Sequence, residues 1–162
     1  MVYIIDGYNL LFNWSEETHS LEIRRAHLVG WIQQVFQQIN QCGTIVFDGA
    51  HRRDEEYGLS YPSPMEVVYT PKGQSADQYI VEQAELIKNK KAIVVVTNDQ
   101  SLKRHVSALG VNTMSNQAFL QWIVKRRSQK KGRKTVIRET SYQVERLLKI
   151  FEERLKADLD DL

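Results

Sequence analysis

A single cysteine, Cys42, in a chain of 162 residues leaves no partner for an internal disulfide and no thiolate cluster for zinc. Placed where a predicted helix ends, that thiol is expected to be inert. Histidine is as scarce. The four, at positions 19, 27, 51 and 105, make no HExxH spacing, so any metal here would be held by oxygen. No serine, cysteine or histidine arrangement suggests covalent catalysis. No apolar run approaches the roughly 20 residues of a membrane span, and no basic segment leads an apolar core and cleavage site. The expectation is a cytoplasmic protein. There is no Gly/Ser linker and no internal repeat.

The composition, 42% hydrophobic and 26% charged, is that of an ordinary globular chain long enough to bury a core. The net charge of +2 hides an uneven distribution. Residues 1–124 hold 10 Lys and Arg against 13 Asp and Glu, whereas residues 125–162 hold 12 against 7. Within KRRSQKKGRK (125–134) seven of ten residues are basic. Beyond that run, Thr140 and Gln143 form a capping-box pattern, and Val144, Leu148, Phe151, Leu155 and Leu162 follow at helical spacing. The division expected is a domain over 1–124, then a basic connector and an amphipathic helix over 125–162 that packs on the same domain. A protein or ribosomal partner, or a dimer contact, is the alternative cover for that helix.

Short β-branched runs predict strands at VYII (2–5), TIVF (44–47), EVVY (66–69), AIVVVT (92–97) and, more weakly, VNTM (111–114). Between them lie helix-period segments. Leu28, Trp31, Ile32, Val35, Phe36 and Ile39 share one stripe between Leu21 and Gln41. Ser75 reads as the N-cap of a helix carrying Ala76, Ile80, Ala84 and Ile87, and further helices are expected at 101–110 and 116–125. Strands alternating with helices, and apolar along their length, imply an α/β sandwich with a mostly parallel sheet covered on both faces.

In such a sheet ligands bind outside the carboxyl ends of the strands. Three strand ends carry an aspartate: Asp6, Asp48 and Asp99. Asp77, in the first turn after EVVYTPKGQS, lies on the same side. Each has an ordinary structural reading: Asp77 as a first-turn acid, Asp99 as an N-cap, Asp48 as a turn former. Their coincidence at one edge is what those readings leave unexplained. Clustered carboxylates repel unless a cation joins them, and an all-oxygen site suits Mg²⁺ or Mn²⁺. The chemistry that fits is phosphodiester hydrolysis by metal-activated water.

The segments IIDGYN (4–9), VFDG (46–49), YTPKGQSAD (69–77) and VVTND (95–99) resemble, in order, the NYN branch of the PIN-like nucleases, and more closely the YacP-like NYN proteins. The resemblance implies a PIN-like Rossmannoid three-layer fold and metal-dependent endoribonuclease activity on single-stranded RNA, with mRNA as one candidate substrate. It makes Asp6, Asp77 and Asp99 the metal ligands, with Asp48 a further acid. Asn9 would hold the first loop or touch a scissile phosphate, unless it is simply a helix N-cap. Thr97 and Asn98 match the polar pair before the last acid. One departure is Ser101, where many PIN nucleases carry another acid, which points to one tightly held metal rather than two.

For the RNA, the phosphate contacts expected are Lys125, Arg126, Arg127, Lys130, Lys131, Arg133 and Lys134, with Arg52 and Arg53 flanking the cleft. Tyr8 either stacks on an unpaired base or packs locally. The alternative function is a non-catalytic RNA-binding or ribosome-associated module that keeps a structural metal pocket. Phosphoacceptor and haloacid-dehalogenase readings fail on DGYN, which supplies neither paired acids nor DxD after the first strand.

Overall fold

A computed structural model describes residues 1–14, 19–51 and 64–131. The order of elements is β1 (Val2–Asp6), α1 (Gly7–Trp14), α2 (Leu21–Ile39), β2 (Cys42–Phe47), β3 (Met65–Tyr69), α3 (Ala76–Leu86), β4 (Ile93–Val96), α4 (Gln100–Ala108), β5 (Asn112–Met114) and α5 (Asn116–Lys131). Short 3-10 turns follow β2 at Gly49–His51 and precede β4 at Lys90–Ala92.

All five expected strands pair in parallel, in the order β3-β2-β1-β4-β5. β4 is apolar throughout, as burial on both faces demands, with Ile93–Val96 buried at every position. One face is aliphatic, where Ile80 and Ala84 of α3 and Leu102 and Val106 of α4 close over Ile4, Val46 and Val95. The other is aromatic. Tyr3 meets Phe36 of α2 and both Phe119 and Trp122 of α5, at ring separations of 4.6–6.0 Å.

Helix ends follow the sequence closely. Ser20 caps α2, and Ser75 caps α3 in a full capping box with Gln78. The chain runs outward from β1 through β2 to β3 and then returns to β4 on the other side of β1. That reversal makes the carboxyl ends of β1 and β4 the topological switch point, where an open α/β sheet forms its crevice.

Three features differ from expectation. GYNLLFNW was not read as a helix, yet α1 starts directly at the end of β1. Gly7 permits this, because a Cβ there would stand 2.5 Å from the Phe47 ring. Cys42 is exposed at the start of β2 rather than closing the preceding helix. The helix expected over 116–125 runs on to Lys131, so the first half of the basic run is helical. Lys and Arg are good helix formers, and cations near a helix C-terminus complement its dipole. Arg52, Arg53, Arg133, Lys134 and the amphipathic segment after Thr140 lie outside the described residues. No helix among the described residues is long and apolar enough to cross a membrane.

Candidate active site

Strand register assembles the first part of the site. Ile5 pairs with Val96, so the next residues, Asp6 and Thr97, stand side by side on β1 and the end of β4. Asp6 is only 6% exposed and Thr97 is buried completely. The Thr97 hydroxyl donates to Asp6 Oδ2 at 3.0 Å, and the Asn9 N–H donates to Oδ1 at 3.4 Å. Thr97 Oγ1 in turn accepts the Asp99 N–H at 3.0 Å. Asp99 caps α4, its Oδ1 accepting the Leu102 N–H at 2.8 Å.

Three asparagines brace this arrangement. Asn9 Oδ1 accepts the Asn98 N–H at 2.8 Å and a side-chain N–H of Asn116 at 2.9 Å, while Asn98 Oδ1 accepts the Asn116 N–H at 2.9 Å. The triangle ties the start of α1, the loop after β4 and the start of α5. Asn9 is thus the holder of the loop rather than the N-cap of α1, where it lies inside the helix. The sequence reading missed Asn116; its one legible signal is a polar residue opening the helix after the last strand.

The second part of the site sits beyond β2 and β3. Asp48 Oδ1 accepts the Ala50 N–H at 2.8 Å, a local Asx turn. The buried Thr70 locks this turn to β3, its hydroxyl accepting the Gly49 N–H at 3.1 Å and donating to the Gln74 carbonyl at 2.7 Å. Gly49 has no alternative here, because any Cβ would collide with the Thr70 carbonyl oxygen. Asp77 is half-buried in the first turn of α3, where Ser75 already provides the cap. Its carboxylate has no hydrogen-bond partner among the described residues.

These acids feel one another. Burial pushes the Asp6 carboxyl up to about 6, the Thr97 and Asn9 hydrogen bonds opposing and the charges of Asp77 and Asp99 adding to the rise. Asp77 is also raised, first by burial and then by Asp99 and Asp48, with His105 pulling the other way. All four sequence-expected acids therefore share one electrostatic neighbourhood.

Among the described residues no group of three His, Cys, Asp or Glu side chains stands ready to hold a metal ion. The donor set nevertheless suits a hard cation that keeps most of its water and takes one or two carboxylates directly, as Mg²⁺ does. Asn116 Oδ1 adds to the fit, being buried without a partner and so able to accept from a donor such as a cation's hydration water.

The described basic residues of α5 are not brought to the acids. From Asn116 at the acidic edge, α5 carries Lys125 about 14 Å and Lys130 about 21 Å down its axis. Arg126 lies over Trp122, and Lys130 Nζ donates to the Gln38 carbonyl at 3.0 Å, at the last turn of α2. Tyr8 packs locally: its ring is buried, stacked on Phe12 and edge-on to Phe47. Its hydroxyl accepts from Arg25 Nη1 at 2.8 Å.

The sequence family described as the YacP-like NYN domain matches residues 3–162. Two solved structures share the fold. The crystal structure of Rae1 (YacP) from Bacillus subtilis is 24% identical, with a TM-score of 0.65 over 99% of this chain and 97% of that one. Its W164L mutant is 23% identical, with a TM-score of 0.61 over 99% of each chain. No curated protein matches the chain.

Proposed function

The chain belongs to the YacP-like NYN family, a branch of the PIN-like nucleases, and on that premise we propose that it is a Mg²⁺- or Mn²⁺-dependent endoribonuclease cutting single-stranded RNA. The observation that carries the proposal is Asp77. Burial raises its proton affinity and Asp99 and Asp48 add to the rise, its charge adds in turn to the rise at Asp6, and among the described residues its carboxylate makes no cap and no hydrogen bond. The dipole of α3 favours an acid in its first turn, but a half-buried charge kept beside like charges is fully accounted for by a ligand of opposite sign.

Asp6, Asp77 and Asp99, with Asp48 beside them, would hold the cation. When bound, it supplies Lewis acidity and a water of lowered pKa for in-line displacement at phosphorus. The chain's own residues set the stage for that chemistry. Asp6 keeps its proton below about pH 6 and presents a carboxylate above it. The Thr97 hydroxyl and Asn9 N–H fix the two oxygens of that carboxylate, and the asparagine triangle fixes Thr97's loop. Lys125, Arg126, Arg127 and Lys130, far along α5, are assigned to phosphates of the same strand several nucleotides from the cut.

The test is cleavage of an end-labelled single-stranded RNA with Mg²⁺, Mn²⁺ or EDTA, comparing the native chain with Asp6→Asn and Asp77→Asn. Metal-dependent cutting that both folded variants lose supports the reading. The second reading is a non-catalytic RNA-binding or ribosome-associated module that keeps a structural metal pocket. RNA binding intact in all three proteins, with no cutting under any metal, would establish it instead.

A further inference from the structure

A cavity of about 260 Å³ opens between α2 and the edge strand β3, and none of the four acids lines it. Glu22, Arg25, Val29 and Gly30 line it from the helix, and Val67 and Tyr69 from the strand. Two features of its walls go beyond what packing needs. Arg25 is only 9% exposed, an unusual place for a guanidinium, and no carboxylate partners it among the described residues. One N–H goes to the Tyr8 hydroxyl, and its Cζ lies 5.2 Å from the centre of the Tyr69 ring. The rest of its donor fork has no partner among the described residues.

Gly30 is the second feature. A glycine inside a helix costs about 1 kcal/mol relative to alanine, and a Cβ built there meets nothing within 4 Å. No described neighbour requires the small residue, and it stands at the wall of the cavity.

The chemistry of the walls selects an occupant. Val29 and Val67 suit the faces of a flat ring. Arg25 offers a donor fork of the kind that takes O6 and N7 of guanine. Glu22, one helical turn before Arg25, offers an acceptor for the N1–H and amino group that guanine has and adenine lacks at that edge. The same carboxylate and the apolar walls disfavour a phosphate. The cavity also adjoins the acids, since Tyr69 immediately precedes the Thr70 that anchors the Asp48 turn. Tyr8, two residues after Asp6, lies within reach of the Asp48 charge.

We propose that this cavity receives one unpaired guanine of the RNA, within a nucleotide or two of the bond that is cut. The proposal rests on the nuclease reading for its link to cleavage, but not for binding. Backbone-amide NMR of the full chain in EDTA, titrated with guanosine, adenosine and uridine 5′-monophosphates, tests the cavity directly. The expected result is a shift of the Gly30, Val67 and Tyr69 amides by the guanosine nucleotide, at least about tenfold weaker with the others. Gly30→Leu, which improves the helix while filling the space, should remove it. In cleavage mapping, cuts should fall at a fixed offset from guanine, and Gly30→Leu should lower cutting of a guanine-bearing strand about tenfold, to the level of a guanine-free one. Glu22→Gln should narrow the gap between guanosine and adenosine nucleotides. No shift at these amides, or equal shifts with every nucleotide, overturns the proposal whatever the cleavage result. A guanosine-specific shift in a chain that cuts no RNA upholds the cavity and overturns the nuclease reading instead.

Discussion

The two edges of the sheet handle charge in opposite ways. At the amino edge, Lys90 sits in the turn before β4 and donates to the Ala84 and Glu85 carbonyls at the end of α3 at 2.6 and 2.7 Å. Lys130 does the same for the Gln38 carbonyl of α2. Each cation closes a helix C-terminus that would otherwise leave carbonyls bare. At the carboxyl edge the acids crowd one another, and Asp77 closes nothing. Asp99 both caps α4 and faces the other acids, whereas Asp77 serves no helix end that Ser75 has not already capped.

The widest separation between the edges should appear in cleavage. Asp77→Asn is expected to lower the single-turnover rate on the order of 10³-fold, the loss of several kcal/mol of metal-borne stabilisation. Its melting temperature should hold or rise, because repulsion is relieved. Cutting within tenfold of the native rate would erase the distinction between the edges.

Stability against pH comes next. Burial lifts Asp6 to about 6 in the folded chain, against 3.8 for a free aspartate. A raised acid binds its proton more tightly folded than unfolded, so its contribution is fully present below pH 3.8 and is lost as pH rises through about 6. Urea unfolding in EDTA should show native stability falling relative to Asp6→Asn by up to about 3 kcal/mol between pH 4 and 7. Saturating Mg²⁺ should reverse much of that fall at pH 7. A parallel pair of curves would mean that Asp6 ionises without strain.

Asn116→Ala should have a smaller effect, about 10- to 100-fold in cleavage, since it loosens a support rather than a ligand. Binding of Mn²⁺ measured separately would weaken in step; unchanged affinity and rate would reduce the triangle to ordinary loop packing. Smallest is the pair Lys125→Ala with Arg126→Ala, which should lower RNA affinity severalfold at low salt. The slope of log affinity against log salt should flatten by about 1.4 if both touch phosphate. An unchanged slope would leave α5 out of the RNA path.

The strands were legible because β-branched runs such as AIVVVT have one sensible use, and the acids were legible because each ends such a run. What stayed hidden has physical reasons. The apolar residues of α1 continue those of β1, so periodicity shows no boundary at Gly7. The basic run reads as a self-repelling connector, and only the docking of Trp122 on Tyr3 and of Lys130 on α2 shows a helix continuing through it to Lys131. The asparagine triangle spans separations of 89 and 107 residues, which no local spacing encodes. Arg25 looks like any surface cation of an amphipathic helix until Tyr8 and Tyr69 are folded against it.

That triangle also sets a schedule. Asp6, Asp48, Asp77 and Asp99 all precede residue 116, so an N-terminal fragment ending before it would carry every acid and lack the bracing that holds Asn9 and Asn98 in place. Contacts of such long range need nearly the whole of the described fold in place. The acids thus come earlier in the chain than the brace that orders their loops, and the geometry is complete only with α5 docked.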